Sequence, residues 1–122
     1  MKKRRLLHSI PPGFPERVAE GAPHYSHWSP DGQCLAFIGP SLEGNSLDLF
    51  VISPDDLKSL LVVARSAPLY FGWSPDSSRL VIHQRNRLLV YDVDDRETRD
   101  LGRSGLTYRV PDFSPDGGRI AM

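Results

Sequence analysis

Cysteine is nearly missing from this chain of 122 residues: Cys34 is the single one. An intramolecular disulfide and a cysteine metal cluster are therefore both excluded. An excess of charge is missing too, because 15 basic residues balance 15 acidic ones. No overall field steers the molecule onto nucleic acid or an acidic membrane. Apolar residues make up 39%, lean for a self-contained core. The longest purely apolar run is Leu60-Leu61-Val62-Val63-Ala64, far short of the roughly 20 residues of a membrane helix. The basic start, Met1-Lys2-Lys3-Arg4-Arg5-Leu6-Leu7, lacks the apolar stretch of a signal peptide before His8, Ser9 and Pro11-Pro12. The expectation is a cytoplasmic, non-exported chain without a membrane span.

Recognisable chemistry is scarce as well. Neither G-x-x-x-x-G-K-[ST] nor G-x-G-x-x-G occurs, so nucleotide binding lacks its phosphate cradle, and with balanced charge nucleic acid is not an expected partner either. Gly102-Arg103-Ser104-Gly105 is not a G-x-S-x-G elbow, and Ser104 reads as a turn residue between repeats. His24 and His27 fall three apart in an expected strand, on opposite faces, and cannot share one ion. Asp92, Asp94, Asp95, Glu97 and Asp100 lack the ligand spacing of a calcium loop and read as a solvated hairpin tip. Cys34 reads as a small core residue. No metal, no cofactor and no enzymatic activity are expected.

Turn formers, by contrast, are abundant: 10 glycines and 11 prolines. Many of them fall in an internal repeat. Trp28-Ser29-Pro30-Asp31-Gly32-Gln33-Cys34-Leu35-Ala36-Phe37 recurs from Trp73-Ser74-Pro75-Asp76 and again from Phe113-Ser114-Pro115-Asp116-Gly117. The starts lie 45 and 40 residues apart, the spacing of propeller blades. In each copy an aromatic residue ends a strand. Pro then presets the turn, Ser and Asp bond local amides, and Gly takes a positive φ. Ser77 stands where the other copies have Gly32 and Gly117, at a cost of about 1 kcal/mol if that position is left-handed.

Each unit reads as four strands. The first holds 25–28, 34–38, 47–52 and 60–64; the second holds 69–73, 80–83, 88–93 and 98–101. The third offers 108–113 and 120–122. The expected fold class is all-β: a partial β-propeller of four-stranded antiparallel blades, two blades plus the start of a third. Residues 1–22 form a basic, largely irregular lead-in, and residues 23–122 the partial propeller. Blade 1 covers about 24–65, blade 2 about 67–103 and the start of blade 3 about 106–122. The units differ mainly in the second connection, long across Gly39–Ser46 and tight across Gln84–Arg87.

The three W/F-S-P-D-x-x-x-[LI]-[AV] copies resemble the WD40-like PD40 repeat of TolB-type β-propellers. The resemblance spans residues 24–122. It implies a non-enzymatic module that binds a protein or a small ligand. It also implies a longer propeller, whose remaining blades come from the same chain or from self-association. Two alternatives follow from the same family: the gating propeller of a prolyl-oligopeptidase-type peptidase, and a Tol–Pal-like periplasmic partner binder. By analogy the innermost strands line a central channel. His24, Tyr25, Tyr70, Tyr108 and Arg109 then lie near its mouth as binding candidates, with packing between blades as the other reading for the tyrosines.

Overall fold

The computed structural model describes residues 4–7, 16–20, 25–41, 46–65, 69–106 and 109–122. Among them every regular element is a strand. β1 (Arg4–Leu7) and β2 (Glu16–Glu20) pair antiparallel, with Arg4 opposite Glu20 and Leu7 opposite Glu16. The lead-in is thus less irregular than its prolines suggested. Segments this short carry no periodic apolar signal, and only a backbone partner reveals them as strands.

Two four-stranded meanders follow. In blade 1, β3 (Tyr25–Trp28), β4 (Leu35–Pro40), β5 (Leu47–Ser53) and β6 (Asp56–Arg65) pair in chain order. In blade 2, β7 (Leu69–Trp73), β8 (Arg79–Gln84), β9 (Arg87–Asp92) and β10 (Glu97–Arg103) do the same. β11 (Asp112–Phe113) and β12 (Ile120–Ala121) begin a third sheet. The strand expected from Tyr108 is shorter than its apolar pattern implied, since residues 109–111 are not extended into a ladder. Pro111 explains this: it has no amide to donate and biases the residue before it. The outer strand of blade 1 is longer than expected, because Pro54-Asp55 turns the chain at once and pairing resumes at Asp56.

Antiparallel order divides the connections between two ends. The Ser-Pro-Asp turns and the β5–β6 and β9–β10 turns share the turn end. The β4–β5 and β8–β9 links and the crossings between sheets share the connection end.

The period of two assigns the faces. Ala36, Ile38, Leu49, Val51 and Ala64 of blade 1 pack with Leu69, Phe71, Leu80, Ile82 and Tyr91 of blade 2 in one buried cluster. The opposite face of blade 1 carries a second cluster of Leu35, Phe37, Phe50 and Ile52, where Phe37 stacks on Phe50 at 5.1 Å. Burial on both faces is why β4 and β5 read as continuous apolar runs.

Candidate functional site

The three motif copies build the same small cage at the turn end. Ser29 Oγ donates to Asp31 Oδ1 at 2.6 Å and accepts the amide of Cys34 at 3.0 Å. Asp31 Oδ1 also accepts the amide of Gln33 at 3.0 Å. Ser74, Asp76 and the amides of Ser78 and Arg79 repeat this at 2.7–3.0 Å. Ser114, Asp116, Gly118 and Arg119 repeat it again at 2.6–3.0 Å. The left-handed position is real in all three: φ is 74° at Gly32, 65° at Ser77 and 74° at Gly117. Hydrogen bonds from Ser74 and from the Ser78 side chain and amide lower Asp76 to about 2. The serine and the following amide act first in lowering Asp31 and Asp116 as well. Motif residues Trp28, Pro30, Trp73, Pro75, Phe113 and Pro115 flank these cages.

Polar groups also bridge the blades. The Tyr25 hydroxyl accepts the amide of Phe71 at 2.8 Å, and its ring stacks on Phe71 with centroids 4.8 Å apart and planes 8° apart. Burial pushes this phenol up to about 12, against the opposing hydrogen bond from Phe71. Trp73 Nε1 donates to the carbonyl of His27 at 3.0 Å. The Ser77 hydroxyl accepts the amide of Asp31 at 2.9 Å. Ser77 thus does across blades what a glycine there cannot do.

At the connection end, His83 holds the crossing from blade 2 to the third sheet. Its ring is 0% exposed. Nδ1 lies 2.8 Å from the carbonyl of Arg109. Nε2 lies 2.8 Å from Ser104 Oγ and 3.1 Å from the carbonyl of Leu106. A Ser–His hydrogen bond is also the geometry of a nucleophile and its base. Here the groups around the hydroxyl include the acceptor carbonyls of Asn86 and Leu106, where an oxyanion would need donors. Sequence reasoning passed over His83, which closes an otherwise apolar strand and has no counterpart in the other copies. Gly72 marks the same contact, because a Cβ there would lie 2.8 Å from the carbonyl oxygen of Pro111.

Of the five binding residues expected from sequence, the structure sets Tyr25 between the blades and Tyr70 beside His83, with ring centroids 6.4 Å apart. Arg109 is exposed on the crossing. His24 and Tyr108 lie outside the described residues. Three cavities lined by described residues lie elsewhere, at the turn end and on the far face of blade 2. They measure about 210 Å³ around Val90, Leu101 and Phe113, about 320 Å³ between the second and third motif turns, and about 420 Å³ beside Asp92 and Arg99. Among the described residues no group of three His, Cys, Asp or Glu could hold a metal ion. Asp92 Oδ1 instead accepts the amides of Asp94 and Asp95, each at 3.0 Å, and organises the acidic hairpin tip.

This geometry has solved counterparts. The β-propeller domain of the Trilobed protease from Pyrococcus furiosus matches 80% of the chain with a TM-score of 0.68 at 17% identity. The fold is a partial β-propeller. A protein described as TolB from Agrobacterium tumefaciens matches 84% with a TM-score of 0.61 at 23% identity. An auxiliary nutrient binding protein from Bacteroides thetaiotaomicron matches 98% with a TM-score of 0.64 at 12% identity. The propeller chain spans 34%, 40% and 30% of these three structures, respectively. At such identities the likeness is one of fold. No protein-family model and no curated protein matches the sequence.

Proposed function

We propose that this propeller segment is a non-enzymatic binding scaffold that takes a protein or small ligand at its connection end. One observation carries the reading. The recurring polar residues Ser29, Asp31, Ser74, Asp76, Ser114 and Asp116 bond to one another and to their own turns. They hold the frame, while the connection end is where the two blades differ most in loop length. There, β4 and β5 are separated by residues 41–46, but β8 and β9 only by Arg85 and Asn86. Loop variation on a constant frame is how repeat proteins diversify a binding face.

The scaffold also has an open flank. Leu101 is 48% exposed beside Val90 and Phe113 on the far face of blade 2. A propeller of about 4–8 blades stacks further strands on such a face. We place the remaining blades there, from the same longer chain or from self-association.

Photo-crosslinking in the native cell tests the binding reading. A benzoylphenylalanine at Arg85 or Gly105 should capture a partner or ligand, whereas one at Asp55 or Asp94 should not. Capture from the turn-end positions alone would overturn it.

A further inference from the structure

Two sheets are complete and two are halves. Among the described residues β1 and β2 pair only with each other, and so do β11 and β12. The halves are of different kinds. β11 and β12 flank a Ser-Pro-Asp turn, so they are the first two strands of a blade, as β3 and β4 are. β1 and β2 are the last two strands of a blade. They precede β3 as β5 and β6 precede β7. The sequence matches at an offset of 45 residues, with Val18, Ala19, Pro23 and Tyr25 against Val63, Ala64, Pro68 and Tyr70. The ladders match as well. In blade 1, Leu49 faces Ala64 and Phe50 faces Val62, so a bulge skips Val63. In the lead-in, Arg5 faces Ala19 and Leu6 faces Arg17, so a bulge skips Val18, the equivalent residue. A bulge kept at one place in two copies is a specified feature of the strand pair.

The first half has an open apolar edge. β4 and β8 each pair with a third strand, and β12 does not. Leu35 and Phe37 of β4 are 1% and 3% exposed. Ile120 stands in the place of Leu35 and is half-buried; Met122 stands in the place of Phe37 and is 41% exposed. Such an edge is a template for a further strand. We infer that the β1–β2 hairpin of a second copy of this chain completes the sheet begun by β11 and β12. The order becomes β11-β12-β1-β2, that of both complete blades. One chain carries three blades' worth of strands, too few to close on itself, whereas two copies carry six, within the range of about 4–8. Each copy gives one hairpin and receives one, which closes a ring instead of growing a filament. The inference rests on the reading of the blade 2 flank as open to further blades, not on a ligand at the connection end. The shared sheet also precedes blade 1 in the ring. Trp73 donates to the carbonyl of His27 in the sheet before it, and Trp28, 45% exposed in the single chain, gains such a sheet only in the pair.

Sedimentation equilibrium of the full chain should give twice the mass of one copy. Trp28 emission should move to shorter wavelength as the dilute single chain associates. Leu6→Pro removes a ladder amide from β1 and should weaken association at least about tenfold, with both blades still folded by circular dichroism. Register supplies a second test that needs no strand breaker. Phe37 faces Phe50, the equivalent of Leu6, so Met122 should face Leu6 of the other copy. With Cys34→Ala throughout, Leu6→Cys/Met122→Cys should oxidise to a covalent dimer, because directly opposed residues lie about 4.5–5.5 Å apart at Cα. Leu6→Cys/Ile120→Cys, two residues out of register, should form far less of it. A monomer at every concentration, a bridge within one chain, a series of larger species, or bridging as strong from Ile120 would each overturn the inference. A monomer that still captures a partner from Arg85 would discard the shared blade and keep the binding scaffold; a bridged dimer whose Arg85 captures nothing would do the reverse.

Discussion

The hydroxyl of Tyr25 accepts the backbone amide of Phe71 at 2.8 Å, and this bond joins blade 1 to blade 2. Tyr70 occupies the corresponding place in the second copy, three residues before the motif tryptophan. The residue that corresponds to Phe71 in the third copy is Pro111, which has no amide. The repeated tyrosine therefore cannot make the repeated bond. His83 supplies the join instead, through the carbonyl of Arg109.

Removing the Tyr25 hydroxyl leaves the Phe71 amide without its acceptor while keeping the ring stack. Tyr25→Phe should destabilise the fold by about 1–2 kcal/mol in a denaturant titration. The hydroxyl also sets an alkaline limit. Its value in the folded state, about 12, lies above the ordinary 10. Its contribution is thus complete below pH 10 and lost as the pH rises through about 12. Tyr25→Phe should lose less stability than the parent across that window. An identical alkaline loss in both proteins would contradict the role given to this phenol.

Ser77 separates backbone strain from side-chain bonding. It carries a φ of 65°, and its hydroxyl accepts the Asp31 amide. Ser77→Ala keeps the strain and loses the bond, so it should cost about 1 kcal/mol. Ser77→Gly loses the bond but relieves the strain, and should stay within about 0.5 kcal/mol of the parent. Equal losses in the two variants would show that the left-handed backbone costs nothing here, and no loss in Ser77→Ala would show that the cross-blade bond contributes nothing.

These cases mark how much the sequence could reveal. The Ser-Pro-Asp cages were legible because each closes within six residues, Ser29 to Cys34 for instance, and their chemistry is local. The strands of both blades were legible from apolar runs such as Leu49-Phe50-Val51-Ile52. The joins between blades were not. They link Tyr25 to Phe71, His27 to Trp73 and Asp31 to Ser77, each 46 residues apart, whereas the first motif repeat is 45. Equivalent residues do not face each other, so aligning copies cannot reveal the partners. His83 was missed for a related reason: its role depends on a crossing segment that comes more than 20 residues later. Tyr25, singled out as channel lining or packing, has its hydroxyl engaged in the join.

Gly72 tests how closely the third sheet docks on blade 2. A Cβ there meets the carbonyl of Pro111 at 2.8 Å, and backbone cannot yield as a flexible side chain would. Gly72→Ala should push residues 109–113 away from β7 at a cost of about 1–3 kcal/mol. Limited trypsin digestion should then cut after Arg109 faster than in the parent. Unchanged cleavage there would mean that the contact is looser than the structure draws it.

Acid should weaken the motif turns. Asp76 is held down to about 2 from the ordinary 3.8, by Ser74 and then by Ser78. A lowered carboxylate contributes fully above the ordinary value and loses its contribution as the pH falls from 3.8 through about 2. Asp31 and Asp116 are lowered in the same direction, so their turns also weaken as the pH falls below the ordinary carboxylate value. The drop in melting temperature between pH values of about 5 and about 2.5 should be smaller for Asp76→Asn than for the parent. An equal drop would place the acid sensitivity elsewhere.

The motif aromatics predict an optical asymmetry. Trp73 reaches back to blade 1, with Nε1 on the carbonyl of His27. Phe113 is only 8% exposed and lines the cavity on the far face of blade 2 with Val90. Each later aromatic thus packs against the sheet before it. Trp28, by the same rule, points away from blade 2, and it is 45% exposed. A tryptophan in water emits at longer wavelength and meets a soluble quencher freely, whereas one against a sheet does neither. Trp28→Phe should remove most of the acrylamide-quenchable emission and leave a blue-shifted Trp73 spectrum, while Trp73→Phe should do the reverse. If Trp28→Phe left the quenchable fraction intact, Trp28 would be covered in solution, and the face of blade 1 that bears it would have a partner of its own.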